Sequence, residues 1–185
     1  MKHLRTILLY ILSITTHAGW AQSFDAGTKK SGIIITNNER LEGNIDVNLE
    51  LNQVFWSQNN TMRVVGASQV KEVVIAQQAA YAGRSLNDQT YLFEILAQGR
   101  VTIYYRAGIL KDEFTNKYFS GCFSLENDRL VALDRKKDFL DLMGDDSKWM
   151  SQHIKNQDLD FDSREHIIAI FKYYNQTYEA THPSP

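Results

Sequence analysis

The chain of 185 residues contains one cysteine, two prolines and ten glycines, and each scarcity excludes a class of protein. With Cys122 alone no internal disulfide can form, so this is not a small secreted scaffold held together by crosslinks. The same scarcity, with no histidine pair at the i, i+4 helical spacing, removes the usual zinc ligand sets. The glycines are scattered singly, and none builds a phosphate-cradling loop. No Gly-x-Ser-x-Gly elbow is present, and Ser120-Gly121 reads as mid-strand rather than as a strand-to-helix turn. No cofactor, metal or catalytic residue is expected from these patterns. Charge of one sign is also lacking: 20 basic against 22 acidic residues give a net −2. Such a chain presents no basic face for nucleic acid and no polybasic surface for a membrane.

Long hydrophobic runs are missing too. The apolar stretch Ile7 to Ile14 follows Lys2 and Arg5 and spans eight residues, where a membrane-crossing helix needs roughly twenty. That length, the charges ahead of it, and the small residues Gly19 and Ala21 behind it describe a secretory signal peptide. Residues 1–21 are read as the cleaved signal, with cleavage between Ala21 and Gln22. Cleavage removes Lys2 and Arg5, leaving 18 basic and 22 acidic residues and a net −4. No cysteine stands at the cleavage point to carry a lipid, and no later segment is apolar enough to span a bilayer. The expectation is an exported chain, periplasmic or secreted, with no stable membrane insertion.

What is present reads in two grammars. From 22 to 133 the pattern is strand-like. Gly32–Thr36 is β-branched, Leu41–Leu49 alternates with period two, and Val54–Trp56, Met62–Val65 and Val70–Ile75 follow at short spacing. The connections, Asn37–Arg40 and Gln58–Thr61 among them, are too short for parallel crossovers, so pairing is antiparallel. Residues Ala76–Gln89 read as a loop with a short helical turn. Tyr91–Leu96 and Val101–Tyr105 form a hairpin through Gln98-Gly99, and Lys117–Leu125 and Leu130–Leu133 add two strands around Asn127-Asp128. At Asp134 the period changes to 3.6. Asp134 is read as an N-cap for a helix stopped by Gly144, and Asp146 as the cap of a second. Asp162 with Glu165 reads as a capping box for a third helix, whose stripe is Ile167, Ile170, Phe171, Tyr174 and Tyr178. Residues 134–178 are thus a helical part sharing one core with the strands, and 179–185 a flexible tail. The predicted class is α+β: an antiparallel, rolled or barrel-like sheet followed by about three C-terminal helices packed on it.

Three features invite chemistry and decline it. Asp158, Asp160 and Asp162 alternate like the start of a calcium loop, but Ser163 and Ala169 occupy the places of the required Gly and Glu. His153 and His166 have no sequence-local partner beyond Glu165, which points to a different side of a helix. Cys122 shows no neighbouring base or cation and reads as a buried, inert thiol. The aromatic residues remain. Tyr104-Tyr105 and Tyr173-Tyr174 each direct one ring inward and the other elsewhere, and Tyr81 stands in the softest stretch of the sequence. Tyr81, Tyr105 and Tyr173 are therefore the candidate binding surface, for an envelope protein partner or a small ligand.

Several segments carry a resemblance. Gly32-Ile33-Ile34 with Leu41–Ile45, Phe93–Leu96 with Gly99 and Val101–Arg106, Arg135–Leu140, Ile154-Lys155-Asn156 and Tyr173-Tyr174-Asn175, behind a signal ending at Ala21-Gln22, are similar to a group of exported envelope proteins of Bacteroidota. The resemblance implies an exported compartment and this architecture, and it brings no activity with it. Two functions follow from the residues: a non-enzymatic binding or assembly module, or a hydrolase using dispersed acids or a pair of an acid with His153 or His166.

Overall fold

The computed structural model describes residues 30–75, 79–111 and 118–181; the expected signal peptide lies outside them. Ten strands precede the helices: β1 (Lys30–Thr36), β2 (Arg40–Asn48), β3 (Gln53–Gln58), β4 (Thr61–Gly66), β5 (Val70–Ile75), β6 (Ala79–Leu86), β7 (Gln89–Ala97), β8 (Ile103–Lys111), β9 (Tyr118–Glu126) and β10 (Arg129–Leu133). All ladders are antiparallel, in the order β10-β9-β8-β7-β6-β5-β1-β2-β3-β4, so the sheet is open rather than a closed barrel. Only the step from β5 back to β1 departs from a meander. The helices are α1 (Lys136–Asp141), α2 (Ser147–Asn156) and α3 (Arg164–Thr181). The expected α+β class, with three helices after the sheet, is what the chain adopts.

Three hairpins are closed by two-residue turns with both residues in the left-handed region: Asn59-Asn60, Asn87-Asp88 and Asn127-Asp128. Asn and Asp tolerate that conformation because their short polar side chains compensate locally. The second of these turns corrects the sequence reading. The stretch expected to be a loop with a helical turn is strand β6, held on both sides by β5 and β7; residues 76–78 of that stretch are outside the described ones. Gly83 permits the close approach, since a Cβ there would lie 2.3 Å from the carbonyl oxygen of Ala67 and 2.4 Å from that of Val70. The β7–β8 connection is also longer than the expected tight turn at Gln98-Gly99, with a bulge between Ile95 and Ala97.

The helix caps shift by small steps. Asp134 does not cap α1; the Asp138 carboxylate turns back to accept from the backbone N–H groups of Arg135 (2.9 Å) and Asp134 (3.2 Å). Asp146 precedes α2 as expected, but its carboxylate accepts from Trp149 Nε1 and the Tyr174 hydroxyl instead of capping. Asp160, not Asp162, ties the turn before α3, accepting from the N–H groups of Asp162 and Ser163 at 3.0 Å each. Helix α3 runs on to Thr181, so the expected tail is helical over 179–181.

One row of residues crosses seven strands' worth of pairing and orders the core. Ile34 faces Val73, then Tyr81, Glu94, Tyr105, Cys122 and Leu133 in turn. In the N-terminal half this face curls on itself around Ile34, Ile45, Val54, Val65 and Val73. In the C-terminal half the same face is covered by the helices, through Ile103, Leu133, Phe139, Ile154, Ile170 and Phe171. The opposite face is buried only in the C-terminal half, where β10 returns towards β6 and encloses Ala82, Phe93, Tyr104 and Phe123.

Candidate functional site

The row described above changes character at its middle. Val73 and Ile34 are fully buried hydrophobic residues, whereas Tyr81, Glu94, Tyr105 and Cys122 are only partly covered and carry polar atoms. Period-two alternation puts them on one face, and the register sets them side by side. Arg164 completes the group from above. It is the first residue of α3, and the turn fixed by Asp160 aims it at the sheet. Its Nη2 donates to Glu94 Oε1, and its guanidinium carbon lies 5.8 Å from the centre of the Tyr105 ring. A cation over an aromatic face is attracted by the ring quadrupole.

Beside this ion pair lies a cleft of about 290 Å³ between β8–β10 and the helices. Cys122, Leu133, Phe139, Phe161 and Ile167 supply its apolar lining, and Tyr105, Asp134, Lys136, Asp162 and Arg164 its polar one. Phe139 and Phe161 stack with ring centres 4.7 Å apart and planes inclined by 21°. The cleft exposes more polar than apolar surface, so the polar groups converging on it would set which small ligand it takes.

The protonation states favour recognition. Burial pushes the Cys122 thiol up from its ordinary value of 9.0 to about 11, and the opposing pull of Arg164 is the smaller effect. A thiol at neutral pH donates weakly and is a poor nucleophile. Burial, assisted by Glu94, also raises the Tyr81 phenol, with Arg164 again opposing. Both groups therefore stay neutral.

The candidate tyrosines divide between two places. Tyr81 and Tyr105 flank Glu94 in the row, Tyr81 packing on the N-terminal core and Tyr105 lining the cleft. Tyr173 is elsewhere, on the outer side of α3. It stacks on the His153 ring at 3.9 Å with planes 5° apart and meets Trp149 edge-on at 6.2 Å. The histidines considered as bases lie outside the cleft lining. His166 does meet a carboxylate, with Nδ1 at 3.2 Å from Asp160 Oδ1, but on an exposed turn whose acid is already engaged in capping.

Sequence reasoning missed Glu94 and Arg164. Glu94 is an acid within the apolar run Tyr91–Leu96, but its partner is 70 residues away and no local spacing connects them. Among the described residues, no cluster of three or more His, Cys, Asp or Glu side chains is placed to hold a metal ion, and no helix is long and apolar enough to cross a membrane. Comparison of the chain with protein-family models, with curated proteins and with solved structures gives no match.

Proposed function

We propose that the chain is an exported envelope module that binds a small ligand without transforming it, in the cleft between β8–β10 and helices α1 and α3. The observation that carries this reading is the Glu94–Arg164 ion pair, held over the Tyr105 ring at the border of the cleft. Two side chains from elements far apart in sequence converge there, already paired and oriented, beside a lining of mixed polarity. Pre-organisation of this kind reduces the ordering cost of binding. The neutral Cys122 in the lining adds a weak donor and no nucleophile. The exported compartment rests on the signal pattern of residues 1–21 and on the resemblance to Bacteroidota envelope proteins. A hydrolase working through His166 and Asp160 has less support, since neither side chain lines the cleft under α3 and Asp160 is engaged with backbone donors.

The test is equilibrium dialysis of the exported chain against a small-molecule extract of the source cells, read by mass spectrometry. The expected result is one compound enriched about tenfold over the free extract, as a site of about 1 μM Kd gives at about 10 μM protein. Tyr105→Ala and Arg164→Ala should lose it, and Tyr173→Ala should keep it. Enrichment abolished by Tyr173→Ala but retained by the cleft variants would move the site to the outer face of α3. No enrichment at all would remove the small-ligand reading.

A further inference from the structure

Four of the eight lysines within the described residues line one feature, the groove between α1 and α2. Two adjoining depressions, of about 560 and 470 Å³, share Lys136, Lys148 and Ser151; the first adds Lys137 and the second Lys155. Helical geometry explains the line-up. Lys148, Ser151 and Lys155 fall at i, i+3 and i+7, one face of α2. Two carboxylates, Asp141 and Asp158, also belong to the linings, so the groove keeps a net positive charge in a chain whose total is −2.

The basic residues of this protein are used in two different ways. Arginines 40, 63, 135 and 164 form ion pairs, and Arg84 and Arg106 are hydrogen-bonded to backbone and side-chain oxygens. None of the four groove lysines takes part in an ion pair or side-chain hydrogen bond among the described residues. Their ammonium groups are point charges with rotatable donors, a form in which lysine commonly binds phosphate. The Ser147 and Ser151 hydroxyls lie in the same lining. From Lys148 to Lys155 the helix rises roughly 10 Å, more than one phosphate spans.

We infer that the α1–α2 groove is a second binding site, taking a soluble polyphosphate-type anion with two or three linked phosphoryl groups. It is separate from the cleft under α3, with which it shares only Lys136. A phosphate-bearing lipid surface offers the same head chemistry. The soluble anion is favoured because the lysines come from two helices, Lys136 and Lys137 from α1 and Lys148 and Lys155 from α2, around adjoining depressions of limited size.

Sodium tripolyphosphate titrated calorimetrically into the exported chain tests this, with phosphatidylglycerol vesicles as a second arm. At about 50 mM salt one site is expected, weakening at least about tenfold at 300 mM as the Debye length shrinks. The pair Lys148→Ala and Lys155→Ala should weaken binding by about tenfold or more, whereas the same two positions changed to Arg should stay within about threefold. Both positions are exposed on α2 and away from the cleft, so the fold and the α3 site are unaffected. Lys71→Ala, on β5, should change nothing. No saturable binding, equal loss with Lys71→Ala, or binding confined to the vesicles would each overturn the proposal.

Discussion

The two halves of the sheet solve the burial problem differently. β1–β5 bury one face by curling and leave the other to solvent, where Met62 is 62 % and Val64 46 % exposed. β6–β10 bury both faces, one under the helices and one inside their own curl. A half covered on one side can take its stability from alternation alone, since its polar residues simply point outward. A half covered on both sides must place polar groups inside and satisfy each of them. Among the buried polar residues, Thr36 is the only one in β1–β5, whereas Arg106, Ser124 and Asn175 belong to the other half. The candidate cleft lies in that second half, where satisfied buried groups also hold side chains in fixed orientations.

The residue that joins the halves should give the largest effect. Arg106 is buried on β8. Its guanidinium donates to Leu49 O (2.7 Å), to Leu92 O and to Asn52 Oδ1 (3.2 Å), and it lies over the Tyr91 ring. Asn52, with φ of 59°, also donates to Thr90 O and accepts from Leu92 N–H. Arg106→Ala removes a donor shared by the buried Leu92 O and the partly buried Leu49 O and Asn52 Oδ1, opens a void beside Tyr91, and should cost on the order of 3 kcal/mol in urea unfolding. Trp56 in β3 and Trp149 in α2 report on the two halves separately. In single-tryptophan versions of the parent their transitions should coincide, and in Arg106→Ala they should separate. Coincident transitions in the variant would mean that the shared ladder β5–β6 alone couples the halves.

A second comparison sets one buried polar side chain against another. Asn175 on α3 acts as a strand would: its Oδ1 accepts from Val101 N–H (2.9 Å) and its Nδ2 donates to Val101 O (2.8 Å). Gly99 leaves room for it, as a Cβ there would approach the Asn175 side chain to 2.8 Å. Asn175→Ala strands two buried backbone groups and should cost about 2–3 kcal/mol. Thr36→Val removes a hydroxyl that accepts from Asn38 and Glu39 N–H at a turn open to water, and should cost only about 1 kcal/mol. Equal losses in chemical denaturation would mean that the two halves tolerate unsatisfied groups alike.

The same contrast decides what could be read from the sequence. The N-terminal strands were legible because one face is wet: Leu41, Ile45 and Val47 alternate with Glu42, Asn44 and Asp46, and Val70–Ile75 was bounded to the residue. The turns at Asn59-Asn60 and Asn127-Asp128 and the α3 stripe were legible from local pattern, whereas the turn at Asn87-Asp88 was hidden in the stretch read as a loop. Strand β6 was not, because Ala79-Ala80-Tyr81-Ala82-Gly83 contains no β-branched residue, and its conformation comes from neighbours on both sides and the close approach at Gly83. Of the cleft, Tyr105 was singled out and Cys122 was weighed as a thiol. Glu94 and Arg164 were invisible, since their pairing is a property of the docked helix. The groove lysines were masked by an acidic total, which averages away a local positive stretch.

The last contrast is a pH dependence, centred on Cys122 in the helical half, that opens only in alkaline solution. The folded Cys122 thiol titrates at about 11 instead of 9.0 because burial disfavours the thiolate. Below pH 9 both folded and unfolded chains hold that proton, so the group contributes no slope. Between about 9 and about 11 the unfolded chain loses the proton while the folded chain keeps it, and stability falls as pH rises through that window. Tyr81 and Tyr174, whose phenols are also raised chiefly by burial, fall in the same direction at higher pH. The thiol's share is isolated by the difference between the parent chain and Cys122→Ala, followed by Trp149 fluorescence in urea at pH 8, 9, 10 and 11. The parent should lose its advantage over the variant as pH rises, and its thiol should react with iodoacetamide more slowly at pH 8 than a free thiol does. A pH-independent difference would mean that water reaches the sulfur, and the cleft floor around Leu133 and Phe139 would then be wet rather than apolar.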